Sequence, residues 1–190
     1  IGDQLGIANA LAIFALCAKF SDPTHETQLH EESLRAFRQT NDYWTCAGQM
    51  HFMALSYIEL DPDRAIELGE EAFHLWQKMG NTHGMCIALH DLGRIALQRG
   101  DYEQAHTYFE QGLPLAMKFG YAEYIANCLE GLSLTDREQS IAFCERRLKE
   151  LQEIGNTAQI AVTLHALGKM LLDAGDYERA RTELEDCLTM

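Results

Sequence analysis

The segment His25-Glu26-Thr27-Gln28-Leu29-His30 holds two imidazoles around a glutamate, the residue types of a helical zinc-protease site. Its spacing is one residue too long. Imidazoles five positions apart on a helix diverge by about 140°, whereas a shared metal requires the i, i+4 pair on one face. Gly168-Lys169 has the ending of a phosphate-binding loop, but Met170 replaces the hydroxyl residue and Thr163 stands where the loop needs glycine. Gly131-Leu132-Ser133-Leu134-Thr135 lacks the closing glycine of a nucleophile elbow. Glu31-Glu32 and Glu70-Glu71 are adjacent in sequence and diverge around a helix, which suits solvated faces better than acid and base roles. The six cysteines (Cys17, Cys46, Cys86, Cys128, Cys144, Cys187) lie far apart with no C-x-x-C spacing. They read as free thiols, four of them in apolar stretches, in a reducing compartment. The expectation is a protein with no catalytic constellation, no metal and no cofactor.

Composition narrows the partners. Fifteen basic residues against 29 acidic ones leave a net charge of −14, and the basic ones are scattered. Phosphate backbones require concentrated lysine and arginine, so direct nucleic-acid binding is excluded, and an anionic membrane surface is disfavoured for the same reason. A basic or mixed protein or peptide surface remains compatible. The absence of a cleavable signal peptide agrees with a cytoplasmic protein. The run Leu5–Phe20 is strongly apolar but about four residues too short to span a bilayer, and it contains Asn9 and Lys19; it is expected to be a helix buried on nearly all sides.

These side chains must be held by helices. Only three prolines occur (Pro23, Pro62, Pro114), and 47% of the residues are hydrophobic, consistent with an all-α chain. Residues 80–113 align without a gap on 155–188. Leu89, His90, Leu92-Gly93 and Gly100-Asp101-Tyr102-Glu103 recur as Leu164, His165, Leu167-Gly168 and Gly175-Asp176-Tyr177-Glu178. Weaker copies are marked by an aspartate at each inter-helix turn: Asp22, Asp61, Asp101, Asp136 and Asp176, at steps of 39, 40, 35 and 40. Self-similarity at such a period marks a stack of identical supersecondary units. Five helix pairs follow, with approximate boundaries 1–41, 42–80, 81–120, 121–155 and 156–190, and the short step places a five-residue deletion in the fourth.

Within a unit, the first helix carries Leu89, Leu92 and Ala96, or Leu164, Leu167 and Leu171, at helical spacing, and Gly93 or Gly168 allows close approach of a neighbour. A Gly-Asp turn ends it, aspartate capping the second helix. That helix turns Ala105, Phe109 and Leu113, or Ala180, Leu184 and Leu188, inward. In unit four the first helix is expected to lose its last turn near Leu134, with Thr135-Asp136-Arg137-Glu138 as a capping box. Pro114 should kink the second helix of unit three.

Leu-Gly eight or nine residues before Gly-Asp-Tyr, then alanine four after the aspartate and an aromatic residue or leucine four further on, resembles the tetratricopeptide repeat. The period of about 40 is similar to that of the longer repeats of bacterial STAND-type ATPase regulators and LuxR-type transcription activators, where they form a sensor arm. Units three and five carry the pattern best; unit one has Glu26, and unit four Ser140, where a small alanine is expected.

The resemblance implies a right-handed α-solenoid and a protein- or peptide-binding module, the sensor or interaction segment of a larger cytoplasmic signalling or transcription regulator. Superhelical stacking lines a concave groove mainly with first helices. Carried onto this chain, the family's ligand-facing positions are Met50, His51, Ala54 and Tyr57; His90, Asp91, Arg94 and Gln98; Glu130, Gly131 and Leu134; and His165, Ala166, Lys169 and Asp173. The same residues also suit the merely solvated side of an amphipathic helix. His90 and His165, two repeats apart, should stand roughly 20 Å from each other at ordinary helix spacing, too far to share a metal.

Two other readings use different surfaces. The chain begins at Ile1 and stops at Met190 inside a helical pattern, so both ends read as cut from something longer. Their apolar terminal helices suit a scaffold or self-assembly arm and a homodimer formed through them. The third reading is a groove that holds a small effector.

Overall fold

The computed structural model describes residues 3–18, 23–40 and 42–189, and among these every regular element is an α-helix. Asp22, Lys19, Phe20, Ile1 and Met190 lie outside the described residues. The chain divides into two compact units, one ending at Arg99 and the other starting at Gly100.

The first unit contains α1 (Gln4–Ala18), α2 (Pro23–Thr40), α3 (Tyr43–Tyr57), α4 (Pro62–Lys78) and α5 (Thr82–Arg99). Successive helices pack on one another, α1 on α2, α3 on α4 and α4 on α5. Their starts are written in short polar side chains. The carboxylates of Asp42 and Asp61 accept from the N–H of Thr45 and Arg64, and the Asn81 side chain accepts from Gly84, each meeting a donor that the first helical turn leaves open. Pro62 follows Asp61 at a position where its missing N–H is not needed. Met53, Leu68, Leu89, Leu92 and Ile95 are fully buried and form the core. Trp76 lies where a side chain on Gly84 would have to stand, at 2.4 Å, so that glycine fixes how closely α5 approaches α4.

The second unit contains α6 (Tyr102–Phe119), α7 (Ala122–Thr135), α8 (Arg137–Ile154), α9 (Thr157–Asp173) and α10 (Tyr177–Thr189). Asp101, Asp136 and Asn156 cap α6, α8 and α9 in the same way, while Tyr121 at the start of α7 supplies no side-chain cap. Gly120 and Gly155 close α6 and α8 with φ of 70° and 72°, a left-handed conformation that costs a residue with a Cβ about 1 kcal/mol or more. Phe109, Leu129, Ile125, Leu151 and Leu167 are buried to 1% exposure or less. As expected, Gly168 admits a neighbour: a Cβ there would lie 2.6 Å from Leu184 Cγ. Gly131 does the same for the ring of Phe109.

The fourth repeat is shortened where the spacing predicts. α7 has 14 residues against 18 in α5 and 17 in α9. The cap differs from the expected box: Asp136, not Thr135, accepts from the Gln139 N–H, and Thr135 donates its hydroxyl back to the Leu132 carbonyl at 2.8 Å. Ser140 replaces the small alanine without loss, because it is buried with its hydroxyl on the Asp136 carbonyl. Pro114 lies inside α6, which runs on to Phe119.

Two expectations about the ends are corrected. α1 is not buried on nearly all sides: Ala8, Ala15 and Ala18 form its covered face, while Ile7, Ile13, Phe14 and Leu16 are between 49% and 61% exposed. The small alanines let α2 approach, and nothing among the described residues covers the bulky face. Leu188 is likewise not inward-facing but 86% exposed, because Cys187, one position earlier, is the residue that turns to α9, its thiol on the Ala161 carbonyl.

No helix among the described residues is long and apolar enough to cross a membrane. The buried thiols behave as apolar side chains: burial raises Cys86 to about 11 and Cys144 to about 12. His25 is exposed while His30 is fully buried, so the two imidazoles of the metal-like segment face different surroundings.

Candidate functional site in the first-helix faces

Each unit brings together part of the expected set on its first helices. In the first unit the centre is Asp91 on α5, which is only 8% exposed. His90 Nδ1 stands 3.1 Å from its Oδ1, and His51 Nδ1, reaching over from α3, stands 2.9 Å from its Oδ2. The His51 contact is the shorter of the two and reaches across from α3 to α5. Arg94 adds a guanidinium 3.9 Å away and is itself exposed. Burial pushes the Asp91 carboxyl up, but the two imidazoles outweigh it and hold the group at about 2. Asp91 is therefore an internal anion that ties α3 to α5 rather than a side chain offered to a ligand.

Three other expected residues of this unit fall elsewhere. Met50 is 3% exposed and belongs to the core. In α3 the polar Gln49 is buried while Trp44 and Phe52 are exposed, so the apolar pattern does not reveal which face is inner. Ala54, too, is buried. Tyr57 turns to α2, its hydroxyl 3.5 Å from Glu31 Oε1, and Glu31 is held by Arg64 at 3.0 Å. Burial first, and the Glu31 charge second, raise the Tyr57 hydroxyl above its ordinary range. Gln98 is exposed on the last turn of α5. The unit's accessible polar set is thus His51, His90, Arg94 and Gln98.

The second unit is different in kind. Glu130 of α7 and His165, Lys169 and Asp173 of α9 all line one cavity of about 220 Å³ between these helices. Lys169 Nζ lies 2.5 Å from Glu130 Oε1, and both side chains are about half exposed, at 51%. An ion pair in that setting contributes less than about 1 kcal/mol and exchanges readily with an incoming partner. Arg137 donates to the backbone carbonyl of Asp173 at 3.2 Å, leaving the Asp173 carboxylate at the rim. Gly131 and Ala166 occupy the repeat position of Asp91; both are buried, and neither carries charge.

Asn127 and Ser133 also line this cavity; the sequence reading passed over Asn127 and weighed Ser133 only as a nucleophile. Asn127 lies one turn before Glu130 on the same face, so extending the family's positions back by three residues reaches it. In the first unit Gln49 was missed: it is buried, and its amide lies 2.8 Å from His30 Nδ1. Glu26, the residue in place of a small alanine, is buried beside His30, with Oε1 3.6 Å from the imidazole Nε2.

What these faces offer is a set of accessible hydrogen-bonding and charged side chains. Among the described residues no three metal-ligating side chains converge.

Known proteins place this geometry. Family models described as tetratricopeptide repeat match residues 45–118 and 160–190. No curated protein matches the sequence. Among solved structures, the chain is similar to the nearly identical TPR-like repeats of a putative kinesin light chain from Podosopora anserina. The TM-score is 0.68 at 15% identity, covering 100% of this chain and 96% of that one. BtubC (BKLC) from P. vanneervenii gives 0.66 at 19% identity, covering 98% and 82%. The apo form of RapI gives 0.62 at 15% identity, covering 98% and 68%. At these identities the likeness establishes the fold, all-α and of the α-solenoid class.

Proposed function

Since the chain belongs to the tetratricopeptide-repeat superfamily, we propose that it is a protein- or peptide-binding module that acts by reversible association rather than catalysis. The observation that carries this reading is the cavity between α7 and α9, where four expected polar side chains converge. There the exposed Glu130–Lys169 pair can open, so that Lys169 meets a carboxylate of the ligand and Glu130 an N–H or a cation. His165 and Asn127 extend the hydrogen-bonding wall. In the first unit His51, His90 and Arg94 form a second polar edge, ordered from beneath by Asp91.

Such a module suits the sensor or interaction segment of a larger cytoplasmic signalling or transcription regulator. The similarity to RapI and to kinesin light chain repeats supports the interaction role. The net charge of −14 favours basic or mixed partners over acidic surfaces at long range.

Random peptides displayed on phage and selected on the chain test the reading, with affinities of the selected peptides then measured by titration calorimetry. Lys169→Glu together with His165→Ala should weaken binding of at least one selected peptide family tenfold or more. Undiminished binding of every selected family by that variant would remove the α7–α9 face from consideration.

One observation favours a second reading. The bulky face of α1, with Ile7, Ile13, Phe14 and Leu16 exposed, suits self-association. Light scattering across concentration separates the two: a dimer that Phe14→Asp dissolves supports assembly through α1, and a monomer at all concentrations opposes it.

A further inference from the structure

Three cavities lie on the other side of the hairpins, each between two successive second helices with a first helix as floor. The one between α2 and α4 measures about 340 Å³, that between α6 and α8 about 650 Å³, and that between α8 and α10 about 620 Å³. Two of them are strapped by ion pairs. Arg38 joins Glu71 at 2.5 Å across the first, where Arg64 also joins Glu31 at 3.0 Å between the same two helices, and Arg179 joins Glu145 across the third. Among the described residues no ion pair crosses from α6 to α8, although Glu110 stands on one wall and Arg146 and Arg147 on the other.

The unstrapped cavity coincides with the two irregularities of the repeat. It opens over Leu129 and Leu132, where α7 has lost its last turn, and Pro114 is in its α6 wall. Pro114 has no N–H for the Glu110 carbonyl one turn earlier, so an acceptor in that wall lacks its helical partner. Opposite, Arg147 gives one donor to Glu150 of its own helix at 2.7 Å and buries its Nε with no acceptor among the described residues. A buried donor left unmade is costly, and an incoming acceptor relieves it once the side chain turns outward. Arg146 lies 5.6 Å over the Phe143 ring, also on its own helix. Both guanidinium groups are therefore parked locally instead of being used across the gap.

From this charge pattern we propose that the α6–α8 groove is a second docking site, for a short peptide segment of a partner protein. The segment carries an acidic side chain for Arg146 and Arg147, an apolar side chain for the floor of Leu113, Leu129 and Leu132, and a basic side chain or free N–H for Glu110. The partner occupies the positions that ion pairs fill in the other two grooves. Arginine favours carboxylate recognition because its planar fork donates two parallel hydrogen bonds.

The test is a selection of random phage-displayed heptapeptides on the intact chain, repeated on Arg146→Glu/Arg147→Glu, on the milder Arg146→Gln/Arg147→Gln, and on Lys169→Glu. Circular dichroism melts establish that each variant folds. The expected result is a peptide family that pairs an acidic with a nearby apolar residue, binds the chain and the Lys169→Glu variant alike, and loses at least tenfold in affinity on the glutamine variant. On the glutamate variant the selected charge should invert from acidic to basic. The proposal is overturned if no such family appears, or if its affinity is indifferent to residues 146 and 147. It is also overturned if binding is lost on Lys169→Glu alone, which would assign the peptides to the α7–α9 face and leave the function proposed above intact, or if only inorganic phosphate shifts the melt of the chain.

Discussion

The α3–α5 and α7–α9 faces are built from the same repeat positions, yet one is a closed polar network and the other an open cavity. The difference is a single position. Asp91 in α5 is replaced by Gly131 in α7 and Ala166 in α9. A carboxylate buried at that position must be compensated, so it draws His51 and His90 onto itself and commits them to holding the helices together. With glycine or alanine there, no charge needs compensation, and the polar side chains of α7 and α9 stay at the surface as an exposed, replaceable ion pair. In a repeat fold, one inward side chain decides whether its outward neighbours serve structure or recognition.

The comparison can be broken most severely at Asp91. Asp91→Ala strands two half-buried imidazoles and should destabilise the first unit by about 2–3 kcal/mol, read as a lower midpoint in urea with an unchanged slope. An unchanged midpoint would mean that the network contributes nothing.

Acid should remove nearly as much. The folded value of Asp91, about 2, lies below its unfolded one, so its contribution is complete above about pH 4 and fades as pH falls through 2. The loss is on the order of 2 kcal/mol. Urea midpoints of the chain at pH 5 and pH 2.5 should diverge more than those of Asp91→Ala.

At the corresponding position of α7, Gly131→Ala places a Cβ 2.4 Å from the Phe109 ring. Overpacking of this kind costs about 1–2 kcal/mol, visible as a lowered thermal midpoint. The smallest effect belongs to the open face: Lys169→Ala should change stability by less than about 0.5 kcal/mol, because its partner is equally exposed. A larger loss would show that the pair is structural and would erase the contrast between the two faces.

Much of the architecture was legible before any coordinates. Asp61, Asp101, Asp136 and Asp176 mark the starts of α4, α6, α8 and α10 because capping is settled within one turn of chain. The deletion in the fourth repeat was readable from the 35-residue step between Asp101 and Asp136, and it appears as a shorter α7. Glu130, His165, Lys169 and Asp173 were placed by repeat position alone, and they line one cavity. Met50 and Tyr57 were not, because α3 buries Gln49 and exposes Trp44 and Phe52, so its apolar residues mark no single inner face.

Local order, then, is what the amino-acid order by itself determined: the helices and their caps, the glycine turns and the small residues that permit close packing. All of these act between residues a few positions apart. Only the tertiary structure decided which faces reach solvent. It left the bulky side of α1 and Leu188 uncovered, drew Asp91 inward, and, among the described residues, left the α6–α8 groove without ion pairs like those across the α2–α4 and α8–α10 grooves. Burial depends on what arrives from distant parts of the chain, and a helix's own period carries no record of that.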